Sequence, residues 1–449
     1  MNNHKFYCLI LLFTLYMLGL THAQTTILPN NANLQYTGRI DFTAPSAPVL
    51  YYAGSSITTR FDGTSLKASF KDITGNNYIG FIIDGGDMIV KSAFSKTSAS
   101  VQTIATGLTN TTHELIIVKR NGPSAGAIVF YGLTLDTGKS LLAPPSRPTR
   151  RIEIFGNSIS AGVNADNLAT NDDKTTTLDN GWNSYGNILA RKLNSEIHNN
   201  GIPGIAVMTG TGYYPTSADV AYNKLSPFTG YYSNWDFSKY IPQLVIMAYG
   251  VNDDGNNWVN ANNKETWKTK YKAILSDLMT KYPLAHFVFL VPPMGMDRTR
   301  MEGYDMEIVN EVNSPRVHFY NFTTAPSPSG AHPAKIMQQS MADELYNYVN
   351  SLGIFNMTDL ALNENGSNSE QLTIYPNPSK GSFNVRLNDV NQLEANHLSI
   401  LDMNGRTVFT KQYSENPTLI NTFDNITKGI YILNISHGSE SYNRKLFVE

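Results

Sequence analysis

Four residues of types that catalyse acyl transfer follow strand-like runs of this sequence. Ser158 comes after RIEIFG, Gly204 ends NNGIPG, Asn252 lies in YGVNDD, and His332 lies in SPSGAHPA. A serine nucleophile needs a base, which histidine most often provides, and a tetrahedral oxyanion needs preorganised donors that each lower the barrier by about 2.7–4 kcal/mol. The Ser158 and Gly204 backbone amides and the Asn252 side chain could be those donors. Each feature alone is more often a turn or a surface cap, but the four in this order predict a catalytic site.

The segments between these residues predict a sheet that would bring them together. Five strand-like runs, RIEIFG, SEIHNNG, QLVIMAYG, HFVFLVPP and RVHFYNF, alternate with helical segments such as KETWKTKYKAILSDLMTKYP. This alternation predicts a parallel sheet with helices on both faces. Sites in such sheets lie at the carboxyl ends of the strands, so the four residues are expected at one edge.

The dipeptide His332-Pro333 makes a local prediction about the base. Proline is favoured at the first position of a helix, so His332 is predicted at or next to the N-cap of the last helix. The positive end of that helix would help to keep the imidazole neutral and able to accept a proton.

The flanking segments predict further units. Residues 24–147 read as short strands with turn residues recurring about every ten positions, which predicts a β-sandwich. The Pro-rich stretch LLAPPSRPTR leads into a domain at 148–356, residues 357–371 form a polar linker, and 372–449 return to short strands.

The N-terminus and the composition limit where the protein works and what it binds. Residues 1–23 have a positive start, an apolar run and an A-x-A-like end, which predicts a secretory signal peptide that contains the sole cysteine, Cys8. No other apolar run is long enough for membrane insertion. A net charge of −2 with 16% charged residues argues against nucleic-acid binding. The scattered histidines and the lack of nucleotide loops predict no metal and no cofactor.

The motifs FGNSIS, GIPG, GVND and HP resemble the four blocks of the SGNH/GDSL hydrolases, in their order. AGSSITTRFDGTSLKASFKD, followed by IEIFGNSISAG and NSYGNILARKL, is similar to carbohydrate esterase family 2, two-domain acetylesterases that act on xylan and glucomannan. This resemblance covers about residues 35–355. It implies a three-layer α/β SGNH domain, a parallel sheet with flanking helices, after a jelly-roll-like β-sandwich. It also implies Ser158 as nucleophile, His332 as base, and the Ser158 amide, Gly204 and Asn252 as the oxyanion hole.

The C-terminal segment has its own resemblance. IYPNPSKGSFNV, ILDMNGRTVF and RKLFVE look like a type IX secretion sorting domain of Bacteroidetes. This implies a small β-sandwich, a secretion machinery as partner, and export to the cell surface or medium. A carbohydrate-binding module is the alternative, but the extreme C-terminal position and the YPNP start favour sorting.

The sequence departs from the SGNH pattern at two places. Asn157 stands where the first block usually has aspartate, and Ser329 and Gly330 stand where an acid usually precedes the histidine. Three readings stay open: a backbone carbonyl orients His332 in a Ser–His dyad, a distant carboxylate such as Asp305 or Glu307 reaches it, or activity is lost.

The function predicted from these features is a secreted serine esterase that removes O-acetyl groups from plant polysaccharide, acetyl xylan or glucomannan. Four aromatic residues are candidates for sugar contact: Trp258, Trp182, Trp235 and Tyr231. Each alone is more often a core residue, but at least one of the aromatic residues near the site is expected to contact sugar. One alternative is a catalytically degenerate glycan-binding surface protein. Another is an esterase for a different acetylated glycan, such as peptidoglycan or pectin.

Overall fold

The computed structural model of the protein describes residues 24–448 apart from eleven short gaps. The gaps are 170–174, 229–232, 296–297, 328–329, 356–371, 381, 388–395, 403–406, 414–419, 422–425 and 438–439. The predicted signal peptide, the predicted linker, Tyr231 and Ser329 therefore lie outside the described residues. Within the described residues, none of the helices combines the length and apolar character needed to cross a bilayer.

The N-terminal region forms two antiparallel sheets of six strands each. Its strands are β1 (Thr25–Ile27), β2 (Gln35–Thr37), β3 (Ile40–Asp41), β4 (Val49–Leu50), β5 (Ser56–Gly63), β6 (Leu66–Asp72), β7 (Ile79–Ile83), β8 (Ile89–Lys91), β9 (Ser100–Ala105), β10 (Thr111–Lys119), β11 (Ile128–Leu135) and β12 (Leu141–Leu142). One sheet has the order β3-β4-β11-β6-β9 with β1 on β11, and the other β12-β5-β10-β7-β8 with β2 on β5. Alternate residues of β6 are buried, as expected for a sandwich with one face in the core. The buried faces meet around Phe61, Phe70, Phe81 and Phe130.

The central region is a five-stranded parallel sheet with helices. Its strands are β13 (Arg150–Gly156), β14 (Ser195–Gly201), β15 (Leu244–Ala248), β16 (His286–Phe289) and β17 (Val317–Phe319), in the order β14-β13-β15-β16-β17. Its α-helices are α1 (Tyr185–Lys192), α2 (Ala218–Ala221), α3 (Val251–Asp254), α4 (Lys264–Lys281), α5 (Arg298–Val312) and α6 (Lys335–Ser351). All five predicted strands are present, and α4 buries Trp267, Tyr271 and Leu278 on the side that its helical spacing predicts.

The register of this sheet aligns the ends that carry the predicted site. Gly156 of β13 pairs with Gly201 of β14 on one side and with Ala248 of β15 on the other. Ser158, Gly204 and Asn252 follow these paired residues by two to four positions. The three segments therefore leave the sheet at one edge, as the sequence predicts.

The C-terminal region is again β-rich and antiparallel. Its strands are β18 (Leu372–Tyr375), β19 (Asn384–Leu387), β20 (Asn396–Asp402), β21 (Thr407–Tyr413), β22 (Ile420–Asn421), β23 (Gly429–His437) and β24 (Glu440–Val448). They form sheets of the order β18-β19-β22 and β21-β20-β23-β24. Leu398, Ile400, Leu433 and Leu446 belong to the small core of this region.

The N-terminal sandwich and the parallel sheet are joined by a common apolar core and a buried ion pair. Tyr51, Tyr52 and Ala127 of the sandwich belong to the same apolar core as the central sheet. Arg39 of the sandwich and Glu153 of β13 form an ion pair with a 2.9 Å N–O distance, and both side chains are fully buried. Because burying charges is costly unless they are paired and hydrogen-bonded, this pair fixes how the two units meet.

Replacing Arg39 with methionine should strongly destabilise the protein. Glu153 would keep its bonds from Asn200 and Tyr282 but lose its countercharge in a buried site. We expect the free energy of unfolding to fall by about 3–5 kcal/mol in urea denaturation. The matched control is Arg60→Met, because Arg60 pairs with Glu114 at the surface, where such a pair contributes about 0–1 kcal/mol. Equal losses in the two variants would contradict this assignment.

Candidate active site

Ser158 and His332 are in direct contact although 174 residues separate them. The Ser158 Oγ and His332 Nε2 atoms lie 2.8 Å apart, which is a hydrogen bond. Ser158 is only 5% exposed, while His332 is half-buried. A serine hydroxyl bonded to an imidazole nitrogen has the arrangement from which a proton can be withdrawn as the oxygen attacks.

The Asn157 side chain holds the turn that carries Ser158 through two hydrogen bonds. The Asn157 side-chain oxygen accepts from the Ile159 amide at 3.0 Å, and its side-chain nitrogen donates to the Ala248 carbonyl at 3.3 Å. The first contact is one that an aspartate could also make, while the second needs a donor. The departure at position 157 is therefore accommodated by a carbonyl on the neighbouring strand.

The turn that carries Ser158 also packs closely against Gly201 at the end of β14. A Cβ atom at Gly201 would lie 2.6 Å from the Ala161 backbone nitrogen, well inside van der Waals contact. The Ala161 amide itself bonds the Asn157 carbonyl at 3.0 Å. Gly201 thus lets the turn after β13 pack directly on the end of β14.

The loops that carry Gly204 and Asn252 are tied to each other. The Asn252 side-chain nitrogen donates to the Ile205 carbonyl at 2.8 Å, and the neighbouring Asp253 accepts from the Val207 amide at 2.8 Å. Asp253 is fully buried, and this burial raises its pKa to about 6. Gly204 has a φ of +82°, which favours glycine because it has no Cβ. The sheet register and these two bonds bring the predicted oxyanion donors to the edge where Ser158 lies.

The helix after His332 begins later than predicted. Helix α6 starts at Lys335 with Ala334 as its N-cap, so His332 lies two residues before the cap and Pro333 is not the first helical residue. The prediction that His332 lies at or next to the N-cap is therefore wrong, because Pro333 stands between His332 and the cap. The reason is local: Ala334 has the extended backbone of an N-cap, and its carbonyl accepts the first bonds of the helix, from Met337 and Gln338.

Neither carboxylate considered as a distant partner of His332 serves that role. Both carboxylate oxygens of Asp305 are buried without a hydrogen-bond partner among the described residues. Burial, with the Asp253 and Glu302 carboxylates, raises the pKa of Asp305 well above its ordinary value. Glu307 instead bonds Lys268 and Lys264, and these bonds lower its pKa.

The predicted sugar-contacting aromatics fall into different environments. Trp258 is half-exposed and lies against Tyr213, with ring centroids 5.0 Å apart. Trp182 is half-buried and covered by the Arg191 guanidinium, 4.4 Å from its ring centre. Trp235 is only 9% exposed and packs between Arg39 and His198, so the structure contradicts its prediction as a sugar platform.

Tyr213 is an exposed aromatic residue beside the candidate site that the sequence prediction did not include. Its ring is 65% exposed, and its backbone amide donates to the Gly204 carbonyl at 2.8 Å. The segment GTGYY lies close after the Gly204 block and combines turn residues with aromatics, and this was the available signal. Tyr213 and Trp258, which we call the aromatic pair, border the loops of Gly204 and Asn252.

An Asn157→Asp variant should lose stability at neutral pH. A carboxylate would face the Ala248 carbonyl without a proton to donate, in a fully buried position. We expect the free energy of unfolding to fall by about 1–3 kcal/mol at pH 7. Because burial would raise the pKa of the new carboxyl, the loss should shrink as pH falls, when the protonated acid can donate. The control is Asn262→Asp at an exposed position, and a pH-independent loss in Asn157→Asp would contradict this account.

Comparisons with known proteins match all three regions of the chain. Residues 36–145 match the family described as Carbohydrate esterase 2 N-terminal, 154–340 the GDSL-like Lipase/Acylhydrolase family, and 373–449 the Secretion system C-terminal sorting domain. These matches confirm the predicted fold class. They also confirm the predicted secreted or cell-surface location, which the sorting domain indicates.

Individual relatives agree with the family matches. The chain is 31% identical over 328 residues to Cellulase/esterase CelE of Acetivibrio thermocellus, an alignment that covers 70% of this chain but only 39% of that protein. It is 27% identical over 327 residues to an Acetylxylan esterase / glucomannan deacetylase of Cellvibrio japonicus, covering 71% and 89%.

A solved structure of a family two carbohydrate esterase from Clostridium thermocellum in complex with cellohexaose is 30% identical. It covers 72% of this chain and 99% of that one, with a TM-score of 0.64. These relatives confirm the predicted class of carboxylic ester hydrolase. The chain belongs to carbohydrate esterase family 2.

Proposed function

We propose that this protein is a secreted serine esterase that removes O-acetyl groups from plant polysaccharide, with Ser158 and His332 as a catalytic dyad. The observation that carries the proposal is the 2.8 Å contact between the Ser158 hydroxyl and the His332 imidazole. A degenerate site would not need to keep this contact.

The reaction follows from the two groups. His332 Nε2 takes the Ser158 proton as Oγ attacks the acetyl carbonyl, and the resulting oxyanion is stabilised by the Ser158 and Gly204 amides and the Asn252 side chain. The imidazolium then returns the proton to the sugar oxygen as the ester C–O bond breaks, leaving an acetyl group on Ser158. Water, deprotonated by His332, attacks this acetyl-enzyme and releases acetate and free Ser158.

The substrate class rests on relatives and on the aromatic pair. A 27% identical relative is named an acetylxylan esterase and glucomannan deacetylase, and a 30% identical structure was solved with cellohexaose. Tyr213 and Trp258 offer exposed ring surface beside the proposed oxyanion loops. Aromatic rings suit the apolar faces of a neutral sugar chain, and the low charge of this protein fits an uncharged polymer.

The test is acetate release from an aryl acetate and from acetylated xylan and glucomannan. Wild-type protein should release acetate from both kinds of substrate. Ser158→Ala and His332→Ala should each lose at least about 100-fold in kcat, because nucleophile and base act together. Wild-type activity in Ser158→Ala would contradict the mechanism. Retention of polysaccharide without any turnover would instead favour the degenerate glycan-binding alternative.

Tyr213→Ala should separate polymer binding from chemistry. Loss of one stacking contact of about 1 kcal/mol should raise KM for acetylated polysaccharide about fivefold. The kcat on aryl acetate should stay the same, since that substrate has no sugar chain to stack on the pair. Tyr375→Ala removes an exposed aromatic ring of the C-terminal region and serves as the control. Equal effects of Tyr213→Ala on both substrates would contradict the platform role.

A further inference from the structure

The main chain around His332 is held by the loop that follows Ser158. The Asn164 side-chain nitrogen donates to the His332 carbonyl at 3.1 Å. The Lys335 amide donates to the Asn167 carbonyl at 2.9 Å, and the Asn167 side chain donates to the Asn164 side-chain oxygen at 3.0 Å. The loop after Ser158 and the segment 332–335 are therefore bonded to each other at two further points besides the Ser158–His332 contact.

Asn164 is itself held in a specific conformation. It is fully buried, and its φ of +62° lies in the left-handed region that asparagine tolerates better than most residues. Its backbone amide donates to the Asp179 carboxylate at 3.1 Å. Burial raises the pKa of Asp179 to about 6, while the Asn164 amide and the nearby Arg120 and Lys119 charges act in the opposite direction.

The N-terminal sandwich reaches this loop through the segment 119–122. Arg120 donates to the Asp166 carboxylate at 2.6 Å and to the Thr177 carbonyl at 3.1 Å, and its own carbonyl accepts from Gly181 at 2.7 Å. The Asn121 side chain adds a bond to the Thr176 carbonyl at 2.7 Å. Arg120 is 4% exposed, so these contacts form inside the molecule, where a hydrogen-bonded charge is held firmly.

We propose that Asn164 is a positioning residue for His332 and that Arg120 of the N-terminal sandwich holds the loop that carries it. Asn164 acts on the backbone of the base. Arg120 bonds to Asp166, two residues after Asn164, and to Thr177, two residues before the Asp179 that accepts from the Asn164 amide. The proposal rests on the proposed function, since it assigns how the base of that reaction is oriented in a sequence without the usual acid before it.

The first test is Asn164→Gly, which allows the left-handed backbone and removes the side chain with its bonds to His332 and Asn167. We expect kcat on aryl acetate to fall about 10- to 100-fold with KM within about twofold, because a small misplacement of a reacting group has effects of that size. Titration of Ser158 with an organophosphate should still reach one label per chain, only more slowly. The control is Asn313→Gly, at an exposed left-handed asparagine that ends α5. Unchanged kcat, or a reduced number of reactive sites with a normal rate per site, would overturn the proposal.

A second measurement does not depend on turnover. In protein with ¹⁵N-labelled histidine, the His332 signal can be assigned by its loss in His332→Ala. Asn164→Gly should shift or broaden that signal while leaving the signals of His113 and His286, on other elements, in place. An unchanged His332 signal would overturn the positioning role. If the wild-type protein released no acetate, the proposed function would fail while this comparison still decided the role of Asn164.

The contribution of the sandwich is tested by Arg120→Met. We expect kcat to fall several-fold, because Asp166 keeps its bonds from Asn180 and Asn183 and the loop is only partly released. Arg60→Met, which breaks an exposed ion pair of the same sandwich, should leave kcat unchanged. Arg120→Lys should recover part of the loss because it restores the charge on Asp166. A kcat in Arg120→Met equal to that of Arg60→Met would overturn the role of the sandwich.

Discussion

The buried ion pair between Arg39 and Glu153 is the contact on which the arrangement of the two larger units depends. Glu153 lies on β13 and accepts from Asn200 on β14, so one carboxylate joins the two strands that lead to Ser158 and Gly204. Arg39 in turn donates to the Tyr222 and Lys224 carbonyls. Separating the sandwich from the sheet would leave each charge without its countercharge, at a cost of several kcal/mol for each ion that stays buried. The sandwich is thus part of the structural support of the candidate site.

The same dependence explains why the core does not divide cleanly between the two units. Tyr51 and Tyr52 pack with residues of the parallel sheet, and a Cβ at Gly122 would lie 3.0 Å from the Pro203 ring. The loop with Pro203 also carries Gly204, and Gly122 belongs to the segment that includes Arg120. Close packing of this kind transmits small shifts, because protein interiors are as dense as organic crystals. A substitution on the sandwich side can therefore move residues at the candidate site.

The strands and helices could be predicted because each produces a characteristic pattern of apolar residues in the sequence. A strand of a parallel sheet is buried on both faces, and the run ending at Tyr249 shows this as an unbroken apolar stretch, while the run ending at Gly156 is apolar except for Glu153. Since such strands end at one edge, the order of the polar blocks after them was enough to bring Ser158 and His332 together.

What the sequence could not provide depends on contacts between distant segments. Nothing in the sequence near Arg39 indicates that its partner lies 114 residues away. The sequence around Trp235 is equally compatible with a surface ring and a core ring, and only its neighbours in the fold decide between them. The start of α6 depends on how Ala334 is held, which shifts a boundary by two residues. Tyr213 has a local signal, but its value comes from its position beside Gly204 and Trp258.

Two asparagine side chains of the candidate site donate hydrogen bonds to backbone carbonyls, and one of them, Asn157, stands where the SGNH pattern usually has a carboxylate. Asn157 donates to a carbonyl that a carboxylate would repel, and the Asn164 side chain donates to the His332 carbonyl while its backbone amide donates to Asp179. An amide presents both a donor and an acceptor at every pH, whereas an ionised carboxyl group can only accept and gains a donor when it is protonated. The bond that the Asn164 side chain donates to the His332 carbonyl can therefore form at every pH, because neither group titrates.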